Sequence, residues 1–151
     1  MQLTLEPDTV TWPETHYLFV EKIGAFQDTA HKAWQQLHER VPEIAAHSQI
    51  TRYFSLYKMD QQIYRAGVGV AAHPGEIPEG LQYQLVAPGQ YIRFVLTGSY
   101  ANLGEASGRV WHIVEDKKTP LRNDFNIEHY VNDPKTTPED QLITEILFPV
   151  P

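Results

Sequence analysis

The side chain in this sequence best suited to ligand chemistry is Glu128, set in the alternating stretch Phe125-Asn126-Ile127-Glu128-His129-Tyr130. Alternation of this kind reads as a half-buried strand. Side chains alternate across a strand, so Asn126, Glu128 and Tyr130 share one face. A carboxylate among aromatic rings can hold a flat cation through charge pairing and cation–π attraction. The plainer alternative is a glutamate solvated on an open sheet face, and alternation by itself leaves both open. Glu145, in Ile143-Thr144-Glu145-Ile146, is a second carboxylate on a predicted strand. Trp34 and Trp111 fall at helical spacing, which serves a core as readily as a pocket wall.

Other chemistries find little support. The seven histidines show no HExxH or comparable ligand spacing, so no metal site is expected. Gly67-Val68-Gly69 lacks the further glycine and the helix of a dinucleotide fingerprint, and no cofactor is expected. There is no GxSxG elbow and no phosphate loop. Cysteine is absent, which removes disulfides and thiolate nucleophiles. A net charge of −7 argues against direct nucleic-acid binding, which needs a basic face. No basic start followed by an apolar run opens the chain, and no apolar stretch approaches membrane-spanning length. With 151 residues, 42% hydrophobic and 21% charged, the expectation is one cytoplasmic domain with no membrane partner.

The elements that must position Glu128 come twice. Tyr17 to Phe26 aligns with Tyr91 to Tyr100, tyrosine on tyrosine, Gly24 on Gly98 and Phe26 on Tyr100. Each segment is strand-like in its β-branched and aromatic content, and each glycine permits a turn. A helix follows in both copies. In the first, Ala30, Ala33, Trp34, Leu37, Val41 and Ile44 mark one buried face after the candidate cap Asp28. In the second, Leu103, Val110, Trp111 and Val114 do so after Asn102, with Lys117 and Lys118 near the end and Pro120 as the stop.

Two strands close each copy: Tyr53 to Lys58 with Ile63 to Val70, and Phe125 to Val131 with Leu142 to Val150. With one gap, Tyr57 falls on Tyr130, and Ser55 takes the place of Glu128. Upstream, Thr9 to Trp12 and Tyr83 to Val86 each supply an opening strand, and His73 to Gly80 is the punctuated linker. The predicted fold is α+β, a tandem strand-strand-helix-strand-strand repeat with antiparallel sheets and helices on one side. One domain, 1–151, holds repeat 1 at about 1–72 and repeat 2 at about 81–151. If Phe54, Leu56, Phe125 and Ile127 pack under the helices, then Tyr53, Ser55, Tyr57, Asn126, Glu128 and Tyr130 face away from them. Those faces would border a cleft between the halves.

These residues carry a family resemblance. Glu128-His129-Tyr130-Val131-Asn132-Asp133-Pro134, Thr137-Pro138-Glu139-Asp140, Leu142-Ile143-Thr144-Glu145-Ile146 and Pro149-Val150 resemble the C-terminal signature of GyrI-like proteins, the AraC-type effector-binding domains. The resemblance extends over nearly the whole chain and implies two such units in pseudo-twofold relation. It also implies recognition of small molecules, often lipophilic cations, with Glu128 as the glutamate of the family's E-x-Y motif. Together with the residues read above from strand parity and helical spacing, the expected ligand contacts are Tyr53, Ser55, Tyr57, Trp111, Asn126, Glu128, Tyr130 and Glu145, of which the resemblance itself carries Glu128. Members fused to regulators carry a helix-turn-helix segment ahead of this domain. This chain opens on its first strand and resembles the free-standing members. The expectation is therefore a stand-alone receptor for hydrophobic cationic drugs, an enzyme being the lesser alternative. As a hydrolase of cyclopropane-type toxins it would use Glu128 to activate water. A third alternative is a gyrase-protecting role, with gyrase or a regulator as protein partner.

Overall fold

The computed structural model describes residues Met1–Pro151. In chain order the elements are β1 (Gln2–Leu3), β2 (Asp8–Trp12), β3 (Thr15–Ile23), α1 (Phe26–His47), β4 (Ile50–Lys58) and β5 (Ile63–Val70). They continue with β6 (Gln82–Val86), β7 (Gly89–Thr97), α2 (Leu103–Asp116), β8 (Asn126–Tyr130) and β9 (Ile143–Pro149). The predicted order strand-strand-helix-strand-strand is present twice, with the two-residue β1 added at the start.

The chain forms two compact units, one of Pro13–Pro88 and one of Met1–Trp12 with Gly89–Pro151. In the first, antiparallel strands run in the order β4-β5-β3-β6. In the second, β8 pairs with β9, β9 with β7, and both β1 and β2 pair with β7, again antiparallel. Sequence repeat and compact unit are thus different sets of residues. The opening strand of repeat 1, β2, joins the sheet of repeat 2, and β6 of repeat 2 joins the sheet of repeat 1.

Each sheet carries its helix on one face. In the first unit Ala33, Leu37 and Ile44 of α1 pack on Leu18, Val20, Ala66, Val68 and Val70. In the second, Ala106, Val110 and Val114 of α2 pack on Phe94, Leu96, Ile146 and Phe148. Each Val, Leu, Ile or Phe among them contributes roughly 1.5–3 kcal/mol by leaving water.

The strand-to-helix turn is the same in both units. Gly24 and Gly98 adopt φ of 139° and 127°, a region other residues reach only with strain. Their N–H groups donate to Gln62 and Leu142 at 2.9 and 2.8 Å, in each case the residue just before the last strand of the repeat. The caps differ from expectation. Asp28 lies inside the first turn of α1, whose N-cap is Ala25, and the Ala25 carbonyl accepts from the Asp28 and Thr29 N–H groups. Asn102 stands at the N-cap of α2 without a side-chain bond, because a short 3-10 turn at Tyr100–Asn102 leads into the helix and is capped by Ser99 instead.

Candidate functional site

Cross-strand partners in a sheet point to the same side, so register shows which face each candidate occupies. Glu128 is opposite Ile146 and Tyr130 opposite Thr144, whereas Ile127 is opposite Leu147 and His129 opposite Glu145. Ile146 packs under α2. Glu128, Tyr130 and, by parity, Asn126 therefore lie on the helix-bearing face, not away from it as alternation had suggested. The same inversion holds in the other unit: Tyr53, Ser55 and Tyr57 are opposite Val68, Ala66 and Tyr64, all part of the α1 core. The physical reason is that both sheet faces are apolar. Phe54 and Leu56, on the face without the helix, are as deeply buried as the helix-side residues.

Glu128 is part-buried, and the Tyr130 hydroxyl donates to its Oε1 at 2.6 Å. The two residues are two apart on one strand and project side by side. Burial pushes the Glu128 carboxyl above its ordinary value, and the Tyr130 hydrogen bond holds it back only in part. No salt bridge involves Glu128, although Asp8, Asp124 and Glu145 in the same unit each pair with an arginine.

Tyr100, in the turn before α2, meets the Tyr130 ring edge-on at 5.7 Å. Burial raises its hydroxyl pKa, and the Asp133 charge adds to the effect. Tyr100 belongs to none of the motifs quoted from the sequence, and its signal lies in the repeat. Phe26 aligns with Tyr100 and Tyr57 with Tyr130, and Phe26 meets Tyr57 edge-on at 5.8 Å. Trp111 lies on α2, tilted over Phe148 at 6.0 Å, and is part of the core packing on the same sheet face as Glu128. Asn126 is buried at the start of β8.

Glu145 is on the opposite face of this sheet. It bonds His129 at 2.7 Å and Arg93 at 3.1 Å, and Arg93 continues to Asp8. Burial pushes the Glu145 carboxyl up, but His129 and Arg93 outweigh it and leave the group below its ordinary value. Glu145 is thus a neutralised carboxylate in a strap across β2, β7, β9 and β8, and the structure does not bring it together with Glu128.

In the other unit, Tyr53, Ser55 and Tyr57 stand along β4. The His38 ring is stacked on Tyr53 at 6.2 Å, and the Trp34 indole donates to the Tyr64 hydroxyl at 2.8 Å. The Ser55 hydroxyl is fully buried and has no hydrogen-bond partner. Two surface hollows are lined by other residues. One, of about 340 Å³, is lined by Ala25, Phe26, Gln27, Met59 and Gln62. The other, of about 520 Å³, includes Met1, Thr97, Ser99 and Asp140. No group of three or more His, Cys, Asp or Glu side chains could hold a metal ion. No helix is long and apolar enough to cross a membrane.

The fold is thus a doubled antiparallel α+β unit, with a tyrosine-bonded glutamate on β8 that makes no salt bridge. The chain belongs to the GyrI-like small molecule binding domain family, whose model matches residues 5–151. No curated protein matches it in sequence. Among solved structures, the C-terminal domain of EcmrR aligns with a TM-score of 0.77 at 18% identity, covering 97% of this chain and 97% of that one. In a cryo-EM structure of an EcmrR–DNA complex the match has a TM-score of 0.76 at 18% identity and covers 95% of this chain. This chain spans only 56% of that longer one. SAV2435, in a structure bound to tetraphenylphosphonium, aligns with a TM-score of 0.75 at 16% identity, covering 97% of this chain and 94% of that one. At these identities the likeness is one of fold.

Proposed function

We propose that this domain binds lipophilic organic cations, with Glu128 as the countercharge and the rings of Tyr130 and Tyr100 as the aromatic surface. The observation that carries the reading is the state of Glu128. It is a part-buried carboxylate, destabilised by burial, held by one tyrosine hydroxyl and matched by no cationic side chain. A buried charge without a partner is costly, and a bound cation would relieve that cost. Tyrosine suits the role because its hydroxyl satisfies the carboxylate while its ring face remains attractive to a cation. Trp111 and Asn126 lie on the same sheet face and are assigned supporting contacts. The tetraphenylphosphonium held by SAV2435 is a ligand of this type and a ready probe.

The test is titration calorimetry with tetraphenylphosphonium and with triphenylphosphine oxide, an uncharged relative that keeps three of the phenyl rings. The expected result is that the cation binds at least about tenfold tighter, a difference of roughly 1.4 kcal/mol. Equal affinities would overturn the reading.

A further inference from the structure

The class of cation can be narrowed further, on the reading of Glu128 as the countercharge. The Glu128 carboxylate has two oxygens, and the structure gives it one donor, the Tyr130 hydroxyl on Oε1. A carboxylate normally accepts several hydrogen bonds, so Oε2 keeps acceptor capacity that no side chain of the protein fills. A second polar group, more deeply buried than the part-exposed Glu128, has no side-chain partner. Thr144 lies directly across from Tyr130 on the neighbouring strand, on the same face as Glu128, and its side chain is fully buried with no hydrogen-bond partner. Buried polar atoms are almost always satisfied, and one that is not calls for a specific explanation. Glu128, two residues back along β8, and Thr144, directly across on β9, thus both neighbour Tyr130 on one sheet face, and each can accept a hydrogen bond.

A cation that merely presents charge leaves both groups as they are. A quaternary ammonium or phosphonium ion has no N–H, so it strips water from the carboxylate without replacing the lost hydrogen bond. A protonated amine replaces it with a charge-assisted bond, the strong kind. We infer that the domain selects protonated amines bearing N–H over permanently quaternary cations, the first N–H going to Glu128 Oε2 and a second, where present, to Thr144 Oγ1.

A methylation series tests this with the intact protein: desipramine (secondary amine), imipramine (tertiary), N-methylimipraminium (quaternary) and the uncharged parent ring system iminodibenzyl. Each added methyl enlarges the apolar surface, so burial alone favours the quaternary member. The expected order of affinity is the reverse, secondary above tertiary above quaternary, with the tertiary-to-quaternary step about tenfold or more. In Thr144→Val, which swaps an unpartnered hydroxyl for a methyl of the same shape, the secondary-to-tertiary step closes while the tertiary-to-quaternary step stays. Thr144→Ser restores the first step. A melting curve confirms that both variants fold.

Quaternary binding equal to or tighter than tertiary would overturn the inference. A secondary-to-tertiary step unchanged in Thr144→Val would remove Thr144 from it. Iminodibenzyl binding as well as the three cations would instead sink the underlying claim of charge recognition.

Discussion

Replacing Glu128 with Gln keeps the side-chain shape and an oxygen for the Tyr130 hydroxyl, 2.6 Å away in the native protein, but removes the charge. The change has two consequences, of opposite sign. Burial raises the Glu128 pKa above the ordinary 4.5, so the folded protein binds a proton there more readily than the unfolded chain. The stability this group contributes is complete below the unfolded pKa and is lost as pH rises through the folded one. Glu128→Gln escapes that loss. Its melting temperature should equal or exceed that of the native protein at neutral pH, and the difference should shrink toward about pH 4, where the unfolded carboxyl is itself half protonated. Ligand binding should move the other way. Loss of the ion pair, roughly 2–3 kcal/mol at about 6 Å and an effective dielectric near 20, makes affinity for tetraphenylphosphonium about 30- to 150-fold weaker. Affinity for triphenylphosphine oxide should hardly change. Thermal melts across pH and paired calorimetric titrations read both effects. A variant that is less stable at neutral pH, or that binds the cation as tightly as before, would refute the reasoning.

Cation affinity in the native protein should fall as pH drops through the Glu128 pKa, which burial raises from its ordinary value, while the neutral analogue stays flat; calorimetry in a pH series checks this. Tyr17→Phe removes a buried hydroxyl that donates to the Phe54 carbonyl at 2.8 Å and should cost about 1–2 kcal/mol in urea denaturation. Gly67→Ala would place a Cβ 2.4 Å from the Tyr17 ring and 2.6 Å from the Leu18 carbonyl oxygen, so backbone must shift. The same denaturation experiment should show a loss of about 3 kcal/mol or more, or failure to fold.

Much of the architecture was legible in the sequence, because it repeats. Gly24 and Gly98 matched as letters and match again as left-handed turns bonded to equivalent carbonyls. The edges of β5 coincide with the expected strand Ile63 to Val70. What could not be read was which side of each strand the helix covers. Alternation groups Tyr53 with Ser55 and Tyr57, but Phe54 and Leu56 are equally apolar, so periodicity does not say which set lies under α1. Long-range pairing was equally invisible. Thr9 to Trp12 reads as a strand whichever sheet it joins, and its partner β7 begins more than seventy residues later.

Within the candidate site, Glu128 and Tyr130 were legible because two residues on one strand share a face whatever the fold does. The separation of Glu145 from Glu128 depends on the register between β8 and β9 across a long loop, and no local signal reports it. Tyr100 was present in the repeat alignment as the partner of Phe26. Its contact with Tyr130 became evident only from the geometry.

The most direct test of the central claim is a crystal structure of this protein with tetraphenylphosphonium bound. The phosphonium should lie beside the Glu128 carboxylate, with a phenyl ring against Tyr130 and the charge centre within about 6 Å of that ring. A ligand seated elsewhere, for instance in the hollow lined by Phe26 and Met59, with Glu128 still bonded only to Tyr130, would contradict it.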